Sequence, residues 1–312
     1  MKRTLTVAGR TINFPTFLPV TTFGGRFPID NLARPYLARS FPAMMVSYHY
    51  AKQMREKPTE LLFIDSGGFA SLFDGSHPVD RGDYFDIATR EGDRISPPEV
   101  LAFQESFADI GATVDFIIAP SCAIEEAKIR QAATIKNAIW AIERRSKFNF
   151  KLYASLQAWD EASAKLITEK LATYPFDGYA LGGMVPRIKK PEEIITIVRA
   201  IRSVDIARPL HVFGIGNADL IRELFQEGVD STDSSSWVRS AVDGKYLNPN
   251  TGNLSAISDS NHQNCTCPVC LKFDYDYLSL EGEANRMALA LHNLHALRCL
   301  IKTTPSLEVA SK

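Results

Sequence analysis

The stretch from Tyr153 to Leu181, YASLQAWDEASAKLITEKLATYPFDGYAL, decides the fold. Its two ends, Tyr153–Leu156 and Gly178–Leu181, read as short strands, and Glu161–Thr173 between them carries apolar residues at helical spacing. A strand joined to the next strand by a helix makes a parallel pair, and such strands are covered on both faces. The same alternation extends in both directions. Further strands are predicted at Phe17–Val20, Ala43–Ser47, Leu62–Asp65, Phe116–Ala119, Leu210–Phe213 and Val229–Thr232. Helices are predicted at Pro98–Ile110, Ile124–Lys147, Pro191–Val204 and Ala218–Glu227. Eight such strands close a (β/α)₈ TIM barrel, one domain over residues 1–312. The competing architecture is an open doubly wound sheet, but no Gly-x-Gly-x-x-Gly opening follows the first strand. Residues 67–97 read as a long loop after the third strand, a last helix spans about Glu281–Ile301, and Thr303–Lys312 reads as a frayed tail.

Hydrophobic residues make up 45% of the chain, enough for a sizeable core. Thirty-five Lys and Arg balance 36 Asp and Glu, so any nucleic-acid partner must be held by a local basic patch rather than by net charge. No apolar run reaches the ~18 residues of a membrane helix, and Met1–Val7 has no signal-peptide core. The expectation is a cytoplasmic protein with no membrane partner.

Three of the five cysteines crowd into Cys265-Thr266-Cys267-Pro268-Val269-Cys270, which without a secretion signal reads as a metal site before it reads as disulfides. His292 and His295, on one face of the last helix, compete to be the fourth ligand. Three Cys and one His make a closed tetrahedral Zn²⁺ set, structural rather than catalytic, and assign residues 243–300 to a small zinc-binding subdomain near the C-terminus.

Barrel active sites sit at the C-terminal ends of the strands. There the sequence places Asp65-Ser66-Gly67-Gly68-Phe69, Pro120-Ser121-Cys122, Gln157, Gly182-Gly183, Gly214-Ile215-Gly216 and Asp233. Two carboxylates in one mouth suit chemistry at an anomeric carbon, one as nucleophile and one moving protons, while glycines admit a flat ligand close to the backbone. Taken singly, each has an ordinary structural reading as a helix cap or a turn.

Asp65–Phe69, the Gly182-Gly183 turn, His211-Val212-Phe213-Gly214-Ile215-Gly216, Gly228-Val229-Asp230 leading to Asp233, and the cysteine cluster followed by His292-Asn293-Leu294 together resemble the tRNA-guanine transglycosylase superfamily. The resemblance covers about residues 60–300. It implies a zinc-containing barrel that exchanges guanine in nucleic acid for a 7-deazaguanine of the 7-cyano or 7-aminomethyl kind. By matching position, Asp233 is implied as nucleophile and Asp65 as general acid and base. Ser66, Gly68, Cys122, Gln157, Gly182 and Gly183 are implied around the base, with Phe69 and Phe213 on its two faces. The metal set implied is Cys265, Cys267, Cys270 and His292, which favours His292 over His295, and a homodimer or partner proteins are implied at the zinc region.

The departures from the pattern concern the substrate. No purine-reading Asp stands near Pro120 and Ser121, and Ser234-Ser235-Ser236-Trp237-Val238-Arg239 replaces a Pro-Thr-Arg stretch. The Gly182–Arg187 turn lacks an acidic residue. These differences resemble a DNA-guanine transglycosylase branch, so the expectation is DNA as substrate, with tRNA as the alternative polymer. Arg187, Lys189, Lys190, Arg239 and Lys245 are candidate phosphate contacts, and Trp237 is either a stacking platform or a buried anchor. The rival readings are a non-catalytic partner subunit and an N-glycosidase that passes the sugar to water.

Overall fold

A computed structural model describes residues 3–73, 75–89, 92–259 and 265–302; the predicted tail at Thr303–Lys312 lies outside them. Eight parallel strands form the central sheet: β1 (Thr16–Pro19), β2 (Met44–Val46), β3 (Leu62–Ile64), β4 (Ile110–Ala112), β5 (Lys151–Leu156), β6 (Gly178–Leu181), β7 (Leu210–Val212) and β8 (Ser231–Ser234). Their order is sequential, each strand beside its chain neighbour, with β8 pairing back onto β1. A parallel bridge between Val20 and Met45 joins β1 to β2 and brings the ends of the sheet together into a nearly closed barrel.

The helices are α1 (Pro28–Leu37), α2 (Tyr48–Ala51), α3 (Pro97–Phe107), α4 (Ile124–Arg144), α5 (Glu161–Ala172), α6 (Pro191–Val204), α7 (Ala218–Gln226), α8 (Ser236–Val242), α9 (Tyr275–Ser279) and α10 (Glu283–Lys302). Local sequence sets their starts. A proline occupies the first turn of α1, α3 and α6, where its missing N–H costs nothing. Asp160 and Ser163 cap α5 reciprocally, and the Asn217 side chain caps α7. No described helix is long and apolar enough to cross a membrane.

Leu18, Met45, Phe63, Ala112, Tyr153 and Ala180 form a buried cluster that also takes in Val7, Ile12 and Phe14, from and just after a hairpin at Thr4–Val7 and Arg10–Asn13. That hairpin is not among the strands predicted from the sequence. The predicted loop at 67–97 contains a 3₁₀ turn (Gly68–Leu72) and a three-stranded antiparallel sheet at His77–Asp80, Phe85–Ala88 and Arg94–Ile95. Its strands are too short to leave a periodic trace.

The fourth strand lies earlier than expected. The expected Phe116–Ala119 is not a strand: Phe116, Ile117 and Ile118 are buried, but their amides bond to side chains instead of to a neighbouring strand. Thr134 Oγ1 accepts from Phe116 N at 3.0 Å, Ser71 Oγ from Ile117 N at 2.8 Å and Gln157 Oε1 from Ile118 N at 3.2 Å. The pairing with β3 and β5 is made by Ile110–Ala112.

Candidate active site

All eight strands run in one direction, so their C-terminal ends share one mouth. Asp65 stands there directly after β3, and its Oδ1 accepts the amide N–H groups of Tyr48 and Gly67, each at 2.8 Å. Burial pushes its carboxyl up to about 6, against the pull of those two amides and of the Ser47 hydroxyl; the charge of Asp233 adds to the rise. Asp233 lies within β8 and is buried. Its Oδ1 accepts the Gly214 N–H at 2.9 Å and faces His211 Nε2 at 3.0 Å. The two carboxylates are therefore close enough to act on one another electrostatically.

A third carboxylate, also buried, belongs to the same mouth. Asp115, three residues past β4, accepts from Ser66 Oγ at 2.7 Å through Oδ1 and from Gln157 Nε2 at 2.5 Å through Oδ2. Burial again raises its carboxyl above the ordinary range. The expectation that no Asp follows the fourth strand is thus corrected: with the strand ending at Ala112, Asp115 occupies that place. Close approach explains two of the glycines. A Cβ on Gly68 would lie 2.0 Å from Asp115 Oδ1, and one on Gly182 would lie 2.2 Å from Gln157 Nε2. Ser66, Gly68, Asp115, Gln157 and Gly182 thereby form one continuous polar floor.

Arg187, a candidate phosphate contact, and Trp237, expected as a stacking platform or a buried anchor, are both structural. Arg187 is buried, and its Nη1 donates to Ile118 O at 2.9 Å and Gly183 O at 2.7 Å, tying the β6 turn to the segment after β4. It is a brace, not a phosphate contact. Trp237 is buried with its indole N–H donated to Val20 O at 3.2 Å, which settles it as an anchor. Lys189, Lys190, Arg239 and Lys245 are exposed, with Lys190 paired to Glu193. Phe69 is exposed on the 3₁₀ turn after Asp65, and Phe213 is half-buried against His211 and Phe63 at the end of β7. Cys122 is half-buried in the turn before α4 and takes no part in the Asp115 network; burial and the nearby Glu126 push its thiol up.

The cysteine cluster is assembled as expected. The Sγ atoms of Cys265, Cys267 and Cys270 and a ring nitrogen of His292 all lie within 4.8 Å of one another. His292 Nδ1 is 3.2–3.7 Å from the three sulfurs. Tetrahedral zinc with ordinary bond lengths would separate S from N by about 3.6 Å, so the donor set fits that ion. His292 Nε2 meets Leu247 O at 3.0 Å, which turns Nδ1 toward the sulfurs, and Asn293 pins the Lys245–Leu247 strand to α10 through Lys245 O and Leu247 N. His295 is not in the cluster.

A family model described as queuine tRNA-ribosyltransferase matches residues 3–304. The chain is similar to the tRNA-guanine(15) transglycosylase of Methanococcus aeolicus, 24% identical over 93% of this chain and 45% of that protein. It is 29% identical to that of Methanopyrus kandleri, over 74% of this chain and 51% of the relative. It is 27% identical to that of Pyrococcus furiosus, over 94% of this chain and 50% of the relative. The chain spans about half the length of the curated relatives it matches.

Proposed function

The chain belongs to the queuine tRNA-ribosyltransferase family, and from that premise we propose that it exchanges guanine in a nucleic acid for a 7-deazaguanine through a covalent glycosyl-aspartate. The observation that carries this reading is the pair Asp65 and Asp233 at one mouth, beside the polar floor around Asp115. Base replacement with retained configuration takes two displacements, so the nucleophile must differ from the proton carrier. In the first, Asp233 Oδ2 forms a bond to the sugar C1′ while the bond to guanine breaks, its electron pair leaving with the base and Asp65 supplying a proton. In the second, Asp65 takes a proton from the incoming base, which attacks C1′ and returns Asp233 to its carboxylate. Asp115, with Gln157, Ser66 and the Gly182-Gly183 backbone, reads the edge of the flat base. Phe69 and Phe213 cover its faces. The target nucleotide is turned out of its stack to reach the mouth.

The names of the relatives support tRNA as the polymer; the expectation of DNA draws no support from them. Incubating the purified chain with 7-cyano- or 7-aminomethyl-7-deazaguanine and either tRNA or duplex DNA, then digesting to nucleosides for mass spectrometry, separates the readings. Incorporation into tRNA is expected. Incorporation into DNA alone would reverse the choice of polymer, abasic sites without incorporation would indicate an N-glycosidase, and exchange only with an added partner would indicate a non-catalytic subunit.

Residues 243–300 act as a zinc-binding staple within one barrel unit, since α10 packs on α1, α7 and α8. Cys265, Cys267, Cys270 and His292 would hold the zinc, which would tie the cysteine loop to α10 beside the hairpin at Lys245–Leu247 and Leu254–Ala256. The expected metal content is one zinc per chain. Cys267→Ser should lose it and lower stability by at least about 3 kcal/mol, given the ~10 kcal/mol that structural zinc contributes in small domains. Elemental analysis and thermal melting check this, and a variant melting like the parent would remove the structural role.

A further inference from the structure

We infer that His211, oriented by Ser231, is a positioning residue for Asp233 that speeds breakdown of the covalent intermediate. This rests on the reading of Asp233 as nucleophile. His211 is fully buried on β7, and Ser231 faces it in register on β8, with Ser231 Oγ 2.8 Å from His211 Nδ1. The opposite nitrogen, Nε2, lies 3.0 Å from Asp233 Oδ1. A ring nitrogen facing a carboxylate oxygen at that distance must carry the proton, because two lone pairs would repel. The Ser231 hydroxyl then donates to Nδ1, and the chain runs in one direction from Ser231 through His211 to Asp233.

Both donors that reach Asp233, His211 Nε2–H and Gly214 N–H, converge on Oδ1. No hydrogen bond to Oδ2 occurs among the described residues, so it is the oxygen free to attack. After attack, Oδ1 is the carbonyl oxygen of the glycosyl ester. When the incoming base displaces the sugar, negative charge returns to this carboxylate, and the two donors are already aimed at the oxygen where it gathers. Preorganised donors of this kind act on the leaving step more than on binding. The rings of Phe63 and Phe213, with centroids 4.8 and 4.7 Å from the imidazole, wall it from water and leave it little freedom to turn.

The test compares His211→Leu, His211→Gln and Ser231→Ala with the parent and with Asp233→Ala, in full exchange and in trapping of the protein–nucleic acid adduct. His211→Leu should lower kcat about 10²-fold, the effect of removing one such donor, with KM for the incoming base unchanged and a larger fraction of enzyme held as adduct. His211→Gln, whose amide N–H reaches the same oxygen, should recover most of kcat. Ser231→Ala should show the same adduct build-up more weakly. A fall in kcat that comes with raised KM and no adduct build-up, or equal loss in the Leu and Gln variants, would make His211 a packing residue and overturn the inference. Parent-like exchange in all three variants would overturn it too, while inactive Asp233→Ala would leave the proposed function standing. Parent-like exchange by Asp233→Ala would instead remove the proposed function itself.

Discussion

Asp233→Ala should reduce guanine exchange by at least about 10⁴-fold and abolish the covalent adduct, while leaving the barrel folded. Removing the nucleophile from enzymes that work through a covalent intermediate costs this much or more, since what remains is substrate binding and bond polarisation. The structure explains why the fold should survive. Asp233 accepts from His211 and Gly214 but makes no salt bridge to Lys or Arg among the described residues. Its loss leaves two donors under-satisfied at a cost of about 1–3 kcal/mol each at most, lessened at Gly214, which is only half-buried at the mouth. Denaturing electrophoresis of enzyme mixed with RNA reports the adduct, and thermal melting with metal analysis reports the fold. A substituted enzyme that still exchanges labelled guanine at the parental rate would mean that another group attacks C1′.

The parts of this site that could be read in the sequence are those fixed by short local patterns. Gly182-Gly183 must be small because Gln157 lies against it, and the cysteine spacing alone brings three thiols to one point. Asp65 stands where a strand gives way to a turn, and Asp233 one residue before the end of β8. Asp115 was hidden for a tertiary reason. Phe116-Ile117-Ile118-Ala119 is more apolar and more β-branched than Ile110-Gly111-Ala112, so local preference favours it as the strand. The true strand contains a glycine because a Cβ at Gly111 would meet Gln104 and Phe150 at 2.7 Å. The apolar run instead finds its hydrogen-bond partners in Ser71, Thr134 and Gln157, side chains 46, 18 and 39 residues away. Once the strand is moved, the carboxylate that was missing from the site appears at its end. The same limitation hid the function of Arg187, since a guanidinium in a glycine-rich turn reads as surface until the carbonyls of Ile118 and Gly183 close around it.

Asp65→Asn should remove exchange and, at neutral pH, make the protein more stable. Burial holds the carboxyl of Asp65 at about 6, above the ordinary 3.8. A carboxyl whose folded value is raised contributes stability that is fully present below 3.8, where it is protonated in both states, and that is lost as pH climbs through about 6. A rise of about two units corresponds to at most about 3 kcal/mol. Asn keeps an acceptor for the Tyr48 and Gly67 amides but has no charge to bury, so it mimics the protonated form at every pH. The variant should therefore melt above the parent at pH 7.5, and the difference should shrink to nothing near pH 4. Catalysis moves the other way. Adduct formation needs the acid form of Asp65 and should slow in the parent as pH rises through about 6; release of the adduct by incoming base needs the carboxylate and should slow as pH falls through the same value. Asn supplies neither form, so both limbs disappear along with about 10²–10⁴-fold of the rate. Stability and activity thus diverge at one side chain, as expected where burial of a carboxyl serves proton transfer rather than folding. A variant that lost activity but was also destabilised at pH 7.5 would place Asp65 in the framework and leave the proton to some other group.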